Sequence, residues 1–75
     1  MTTYRNLSGT SGVVAYEIRD EAIVVQFRQR GKYLYNYDIP GREEVEEMKR
    51  LAAEGSGLAT YINKNVRKRY ANKLG

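Results

Sequence analysis

The sequence predicts an α+β domain in which a three-stranded antiparallel meander is roofed on one face by two C-terminal helices (β-β-β-α-α). Three observations point there. Apolar and polar side chains alternate through residues 13–19 and again through 22–28, the period of half-buried strands. A third segment, 33–39, is rich in the aromatic residues that favour strands. After Pro40 and Gly41 the apolar spacing changes to threes and fours, the period of amphipathic helices.

The first two strands read as a hairpin. Val14, Tyr16 and Ile18 share one face, as do Ile23, Val25 and Phe27, and Asp20 and Glu21 interrupt the pattern between them. With those acids at the tip, Ile18 opposes Ile23, Tyr16 opposes Val25 and Val14 opposes Phe27, so the apolar faces coincide. The turn into the third strand contains Gln29, Arg30 and Gly31 and leaves two registers open. A three-residue loop with Gly31 left-handed puts Tyr33, Tyr35 and Tyr37 on the face of Phe27. A two-residue turn puts them on the opposite face, where they line an open sheet. The core-facing register is preferred, because the other turns Leu34 and Asn36 inward and leaves a thin core poorer in apolar surface.

In the first helix Val45, Met48, Leu51 and Ala52 form the apolar stripe, and Glu43, Glu44, Glu46 and Glu47 crowd the start, where the helix dipole favours acids. Gly55 is the expected stop. Ser56 and Gly57 are placed as the cap of a second helix whose stripe is Leu58, Ile62, Val66 and Tyr70. Residues 1–12, with Ser8, Gly9, Thr10, Ser11 and Gly12 in succession, read as an irregular N-terminal arm, and 13–75 as a single domain.

A chain of 75 residues has room for one thin core. The absence of His and Cys removes disulfides, the commonest general base, a thiol nucleophile and the soft metal ligands. The expectation is a binding protein without enzymatic activity, cofactor or metal. No apolar leader opens the chain and no apolar run is long enough to span a bilayer, so a soluble, cytoplasmic protein is expected.

Charge is unevenly distributed. The net charge is +4, yet 55–75 holds five cations and no acid, whereas 42–54 is net acidic. Lys64, Arg67 and Lys68 cluster on the helical face away from Leu58, Ile62 and Val66, with Tyr61 beside Lys64 and Lys68, and Arg69 and Lys73 follow. Such a face can neutralise phosphates and stack an unpaired base. It can equally be the solvated outer face that any amphipathic helix carries, its cations favoured near a helix C-terminus. Tyr16, Tyr33, Tyr35 and Tyr70 read as core or core-rim residues with hydroxyls reaching the surface.

Phe27, Gly31, Tyr33 and Tyr35, then Pro40, then Tyr61, Ile62, Asn63, Val66, Arg67 and Tyr70 form a pattern similar to that of the KTSC domain family. The second block, Y-I-N-K-N-V-R-K-R-Y, is its more specific part. Domains of this family occur at the C-terminus of some lysyl-tRNA synthetases and as short stand-alone bacterial and phage-associated proteins. The resemblance implies a divergent stand-alone member with the meander-plus-helices fold, structural roles for Tyr33, Tyr35 and Tyr70, and an RNA-related accessory role. It also draws attention to Asn63 and Arg67, as a polar latch or as ligand contacts.

The expected function is therefore a binding module associated with nucleic acid, RNA or DNA, using Lys64, Arg67, Lys68, Arg69 and Lys73 on phosphates and Tyr61 for stacking. The competing expectation is a protein-interaction module or homodimerising subunit that uses the exposed sheet face.

Overall fold

The computed structural model describes residues 1–7, 9 and 11–75. Ser8 and Thr10, from the cluster assigned to the arm, lie outside the described residues. The chain runs β1 (Thr2–Thr3), β2 (Val13–Arg19), β3 (Ala22–Phe27), β4 (Gly31–Asn36), α1 (Arg42–Glu54), α2 (Leu58–Tyr61), a π-helical turn (Ile62–Val66) and β5 (Asn72–Lys73). All five strands join one antiparallel sheet in sequence order. The α+β class and the central meander are as the sequence predicts. The two additional strands, each two residues long, border the meander on either side.

The β2–β3 register pairs Ile18 with Ile23 and Tyr16 with Val25, as hydrophobic alternation requires. The expected third pair is corrected. A bulge between Val13 and Ala15 puts Val13, not Val14, opposite Phe27, and Val13 is 1% exposed. The extra residue is absorbed where the arm meets the sheet: Tyr4 N–H donates to Val14 O at 3.0 Å, so the bulged residue pairs outward.

The β3–β4 register resolves the fork in favour of the core-facing arrangement. Phe27 opposes Gly31, Val25 opposes Tyr33 and Ile23 opposes Tyr35, and Gly31 has φ +87°. Tyr33 and Tyr35 thus share the face covered by the helices, and Tyr35 is fully buried. β4 stops at Asn36, short of the expected Ile39, because the Asn36 side chain accepts from the N–H groups of Asp38 and Ile39 and closes a turn. That turn contains a cis Ile39–Pro40 bond.

Helix α1 lays Val45, Met48 and Ala52 on the sheet, and Gly55 ends it in the left-handed conformation with its N–H on the carbonyls of Leu51 and Ala52. The second helix departs from expectation at both ends. Gly57 occupies its N-cap position and no side chain caps it, so Ser56 does not play that part. Regular α-helix lasts only to Tyr61; Arg67 N–H then bonds to Ile62 O five residues back, and helical structure ends at Val66. Arg67 takes φ +54° and ψ −117°, which reverses the chain. Tyr70 therefore reaches the sheet from a non-helical tail, meeting Tyr33 edge-on with centroids 4.6 Å apart. The tail continues as β5, paired with β4 at Tyr33–Lys73 and Leu34–Asn72.

The arm is also more ordered than the sequence suggests. Thr2 and Thr3 pair with Tyr16 and Ala15. Tyr4 is buried, its hydroxyl accepting from Leu58 N–H at 3.3 Å. Leu7 N–H donates to Gly55 O, and Arg5 donates to Ala53 O. The arm thereby clamps the junction of the two helices.

A basic aromatic cleft as the candidate functional site

Where the π-helical turn leans over the start of β4, a cleft of about 490 Å³ opens, lined by Phe27, Arg30, Tyr33, Tyr35, Ile62, Asn63, Arg67, Lys68 and Tyr70. Its position follows from local geometry. The three-residue turn before Gly31 carries Arg30 back over the end of β3, its guanidinium 4.8 Å from the Phe27 ring centroid. Alternation along β4 aims Tyr33 and Tyr35 at the same side. Phe27, Tyr33 and Tyr70 form a chain of edge-on contacts, Phe27 and Tyr33 having centroids 5.7 Å apart. From the opposite wall the widened turn projects Asn63, and the reversal at Arg67 presents Arg67 and Lys68. Lys73 lies on the rim, its Nζ 5.9 Å from the Tyr33 ring centroid.

The lining has three cations and four aromatic rings and no carboxylate. Positive charge above a largely apolar floor attracts an anion that also has a flat, stackable part. Burial pushes the Tyr35 hydroxyl up to about 12, with the neighbouring Arg30 opposing that rise, so Tyr35 is a neutral donor at any physiological pH. Three features of the backbone concentrate here: the π-helical turn, the left-handed Arg67 and the left-handed Gly31. Irregularities of this kind gather where side chains must be aimed at a ligand.

The residues expected to act together are divided by the fold. Arg67 and Lys68 enter the cleft and Lys73 stands at its edge. Arg69 turns to the other side, donating to Asn65 O and lying 3.7 Å from Glu44 of α1. Tyr61 also faces α1: it packs on the core, and burial, followed by Glu44, Glu47 and Glu43, raises its hydroxyl above the ordinary value. Lys64 is exposed and is not among the residues that line this cleft. Arg30 and the rings of Phe27, Tyr33, Tyr35 and Tyr70 were outside the expected site. Arg30 falls in a segment of nearly balanced charge, and only the hairpin register brings it to the C-terminal cations.

Seven of the nine lining residues are Phe27, Tyr33 and Tyr35 from the β3–β4 hairpin and Ile62, Asn63, Arg67 and Tyr70 from the C-terminal segment. They come from segments about thirty residues apart, and the fold brings them to one place.

Elsewhere, Tyr37 donates to Glu46 at 2.7 Å and Lys49 pairs with Glu46 at 2.9 Å, so Tyr37 ties the turn after β4 to α1. These hydrogen bonds raise the Tyr37 hydroxyl and hold the Glu46 carboxyl below its usual range. Among the described residues no helix is long and apolar enough to cross a membrane, and no group of three or more acidic, His or Cys side chains could hold a metal ion. No protein-family model, curated protein or solved structure matches the chain.

Proposed function

We propose that this chain is a small, non-enzymatic binding module associated with single-stranded nucleic acid, RNA foremost, and that the basic aromatic cleft is its contact surface. One observation carries the proposal: three cations and four aromatic rings converge on one cleft with no acid among them. Arg30, Arg67 and Lys68, with Lys73 at the rim, would engage backbone phosphates and release their counterions. The faces of Tyr33 and Tyr70 offer stacking to an unpaired base. A base inside a duplex is already stacked and cannot enter, so the ligand is single-stranded. Support also comes from the KTSC-like residues, whose resemblance implies an RNA-related role and which are concentrated in the cleft. Lys64, Arg69 and Tyr61 are assigned a lesser part, Arg69 being held beside Glu44.

The alternative, a protein-interaction or homodimerising module working through the open sheet face, has less to draw on. That face carries the pair Val24 and Leu34 with Ala15 and Ala22, surrounded by Glu17, Arg19, Gln26, Lys32 and Asn36, and Val24 and Ala22 are already buried, while Tyr33 and Tyr35 point to the covered side.

Fluorescence anisotropy of a labelled U10 strand tests the proposal. Binding at low salt should weaken as salt rises, with a log–log slope of about 0.7 per phosphate engaged and about 2 for the three lining cations. Arg67→Glu/Lys68→Glu should abolish it, while Lys64→Glu/Arg69→Glu should weaken it far less. If neither U10 nor its DNA counterpart binds at low salt, the proposal fails. A mass that rises with concentration in sedimentation, unchanged by these charge reversals, would favour the alternative.

A further inference from the structure

Beside the cleft lies a second depression of about 310 Å³, lined by Ser11, Gly12, Phe27, Arg28, Gln29 and Arg30. The two share Phe27 and Arg30, so Arg30, laid over the Phe27 ring, forms the ridge between them. Their chemistry differs. The cleft has four aromatic rings, whereas the second depression has Phe27 as its one ring and is otherwise built of small and polar residues with two exposed arginines. Neither Arg28 nor Arg30 has a carboxylate within ion-pairing distance among the described residues. Ser11 Oγ accepts from Val13 N–H at 3.1 Å, and a serine hydroxyl that accepts one bond also carries a proton to donate. Arg28 N–H bonds to Gly12 O at 2.8 Å, which holds the two walls of the depression together.

We infer that a single strand crosses the β3–β4 turn, one base stacked in the cleft, a phosphate on the Arg30 ridge and the next phosphate held by Arg28 and Ser11. The inference rests on the proposed function and deepens it: the ligand is a polymer that must span two adjoining subsites, not a lone nucleotide. Cations belonging to the turn, Arg28 and Arg30, then join those of the C-terminal tail in one track.

The test compares 5′-UMP, U6 and (dT)6 as ligands for the full chain and its Arg28→Ala and Arg67→Ala variants, by calorimetry at low salt. U6 should bind the wild type at least tenfold more tightly than 5′-UMP, since each charge-assisted phosphate contact contributes on the order of tenfold in affinity. Arg28→Ala should remove about that factor for U6 and leave 5′-UMP unchanged, whereas Arg67→Ala should weaken both. Tight binding of either hexamer supports the path, and the preferred sugar identifies the natural strand. Equal affinity for 5′-UMP and the hexamers, or an Arg28→Ala variant that binds U6 like the wild type, overturns the two-subsite path and leaves the cleft standing. A duplex that binds as tightly as either hexamer overturns the stacking subsite. Failure of every ligand overturns both the path and the proposed function.

Discussion

Two residues in the cleft show how its chemistry is coupled to stability. Tyr35 is 2% exposed, and its hydroxyl is pushed up to about 12 by burial, against about 10 in an unfolded chain. Below pH 10 both states keep the proton and the full stability is present. Between roughly pH 10 and 12 the unfolded chain releases it first, so stability falls with rising pH, by about 1 kcal/mol at pH 11. Tyr35→Phe should abolish that part of the slope, seen as a smaller drop in urea midpoint between pH 9 and pH 11 than in the wild type. Arg67 holds a backbone conformation that side chains rarely adopt. Arg67→Gly should stabilise the fold by about 1 kcal/mol in urea denaturation while weakening U10 binding, and Arg67→Ala should weaken binding without the stabilisation. A backbone strained at the position that supplies a cleft cation is consistent with a residue kept for its ligand.

Among the elements, the C-terminal tail is the one whose placement depends most on a single glycine. Gly31 has φ +87°, and a Cβ there would collide with the Gly75 carbonyl, which accepts from Lys32 N–H at 3.0 Å. Gly31→Ala should therefore peel β5 from β4, at a cost of about 1–3 kcal/mol, and the amides of Lys32 and Leu74 should lose hydrogen-exchange protection before the rest of the sheet. The central hairpin was legible because strict alternation leaves one register in which Ile18 meets Ile23 and Tyr16 meets Val25. The bulge at Val14 was not, since a one-residue insertion beside a valine pair keeps an apolar side chain on either face. Similarly, Val66 and Tyr70 continue a four-residue stripe in sequence, but the π-helical turn and the reversal at Arg67 take Tyr70 off the helix and onto Tyr33, a placement no helical period encodes. Arm pairing by Thr2 and Thr3 escapes notice too, two polar residues being too few to carry a period.

Across the whole molecule, the same few residues separate two electrical territories. α1 carries its acids on one side, internally paired through Lys49 and Arg50 and joined to Arg69, while Arg67, Lys68, Arg30 and Arg28 face the other way. The cations were legible as a count, but their division into a paired and an unpaired set depends on the chain reversal after Val66. The sheet borders have a consequence of their own. β1 reaches only Ala15 and Tyr16, so among the described residues the far end of β2, from Glu17 to Arg19, is paired with β3 on its inner side and has no strand on its outer side, and it carries Ile18 at 48% exposure. Glu17 and Arg19 pair with each other there at 2.6 Å, placing fixed charge along the unguarded peptide groups. Glu17→Val/Arg19→Val should convert that border into a template for intermolecular strand addition, detected as thioflavin-positive aggregates at concentrations where the wild type stays clear. A surface ion pair of negligible worth to folding is, on this view, a gatekeeper against fibrils.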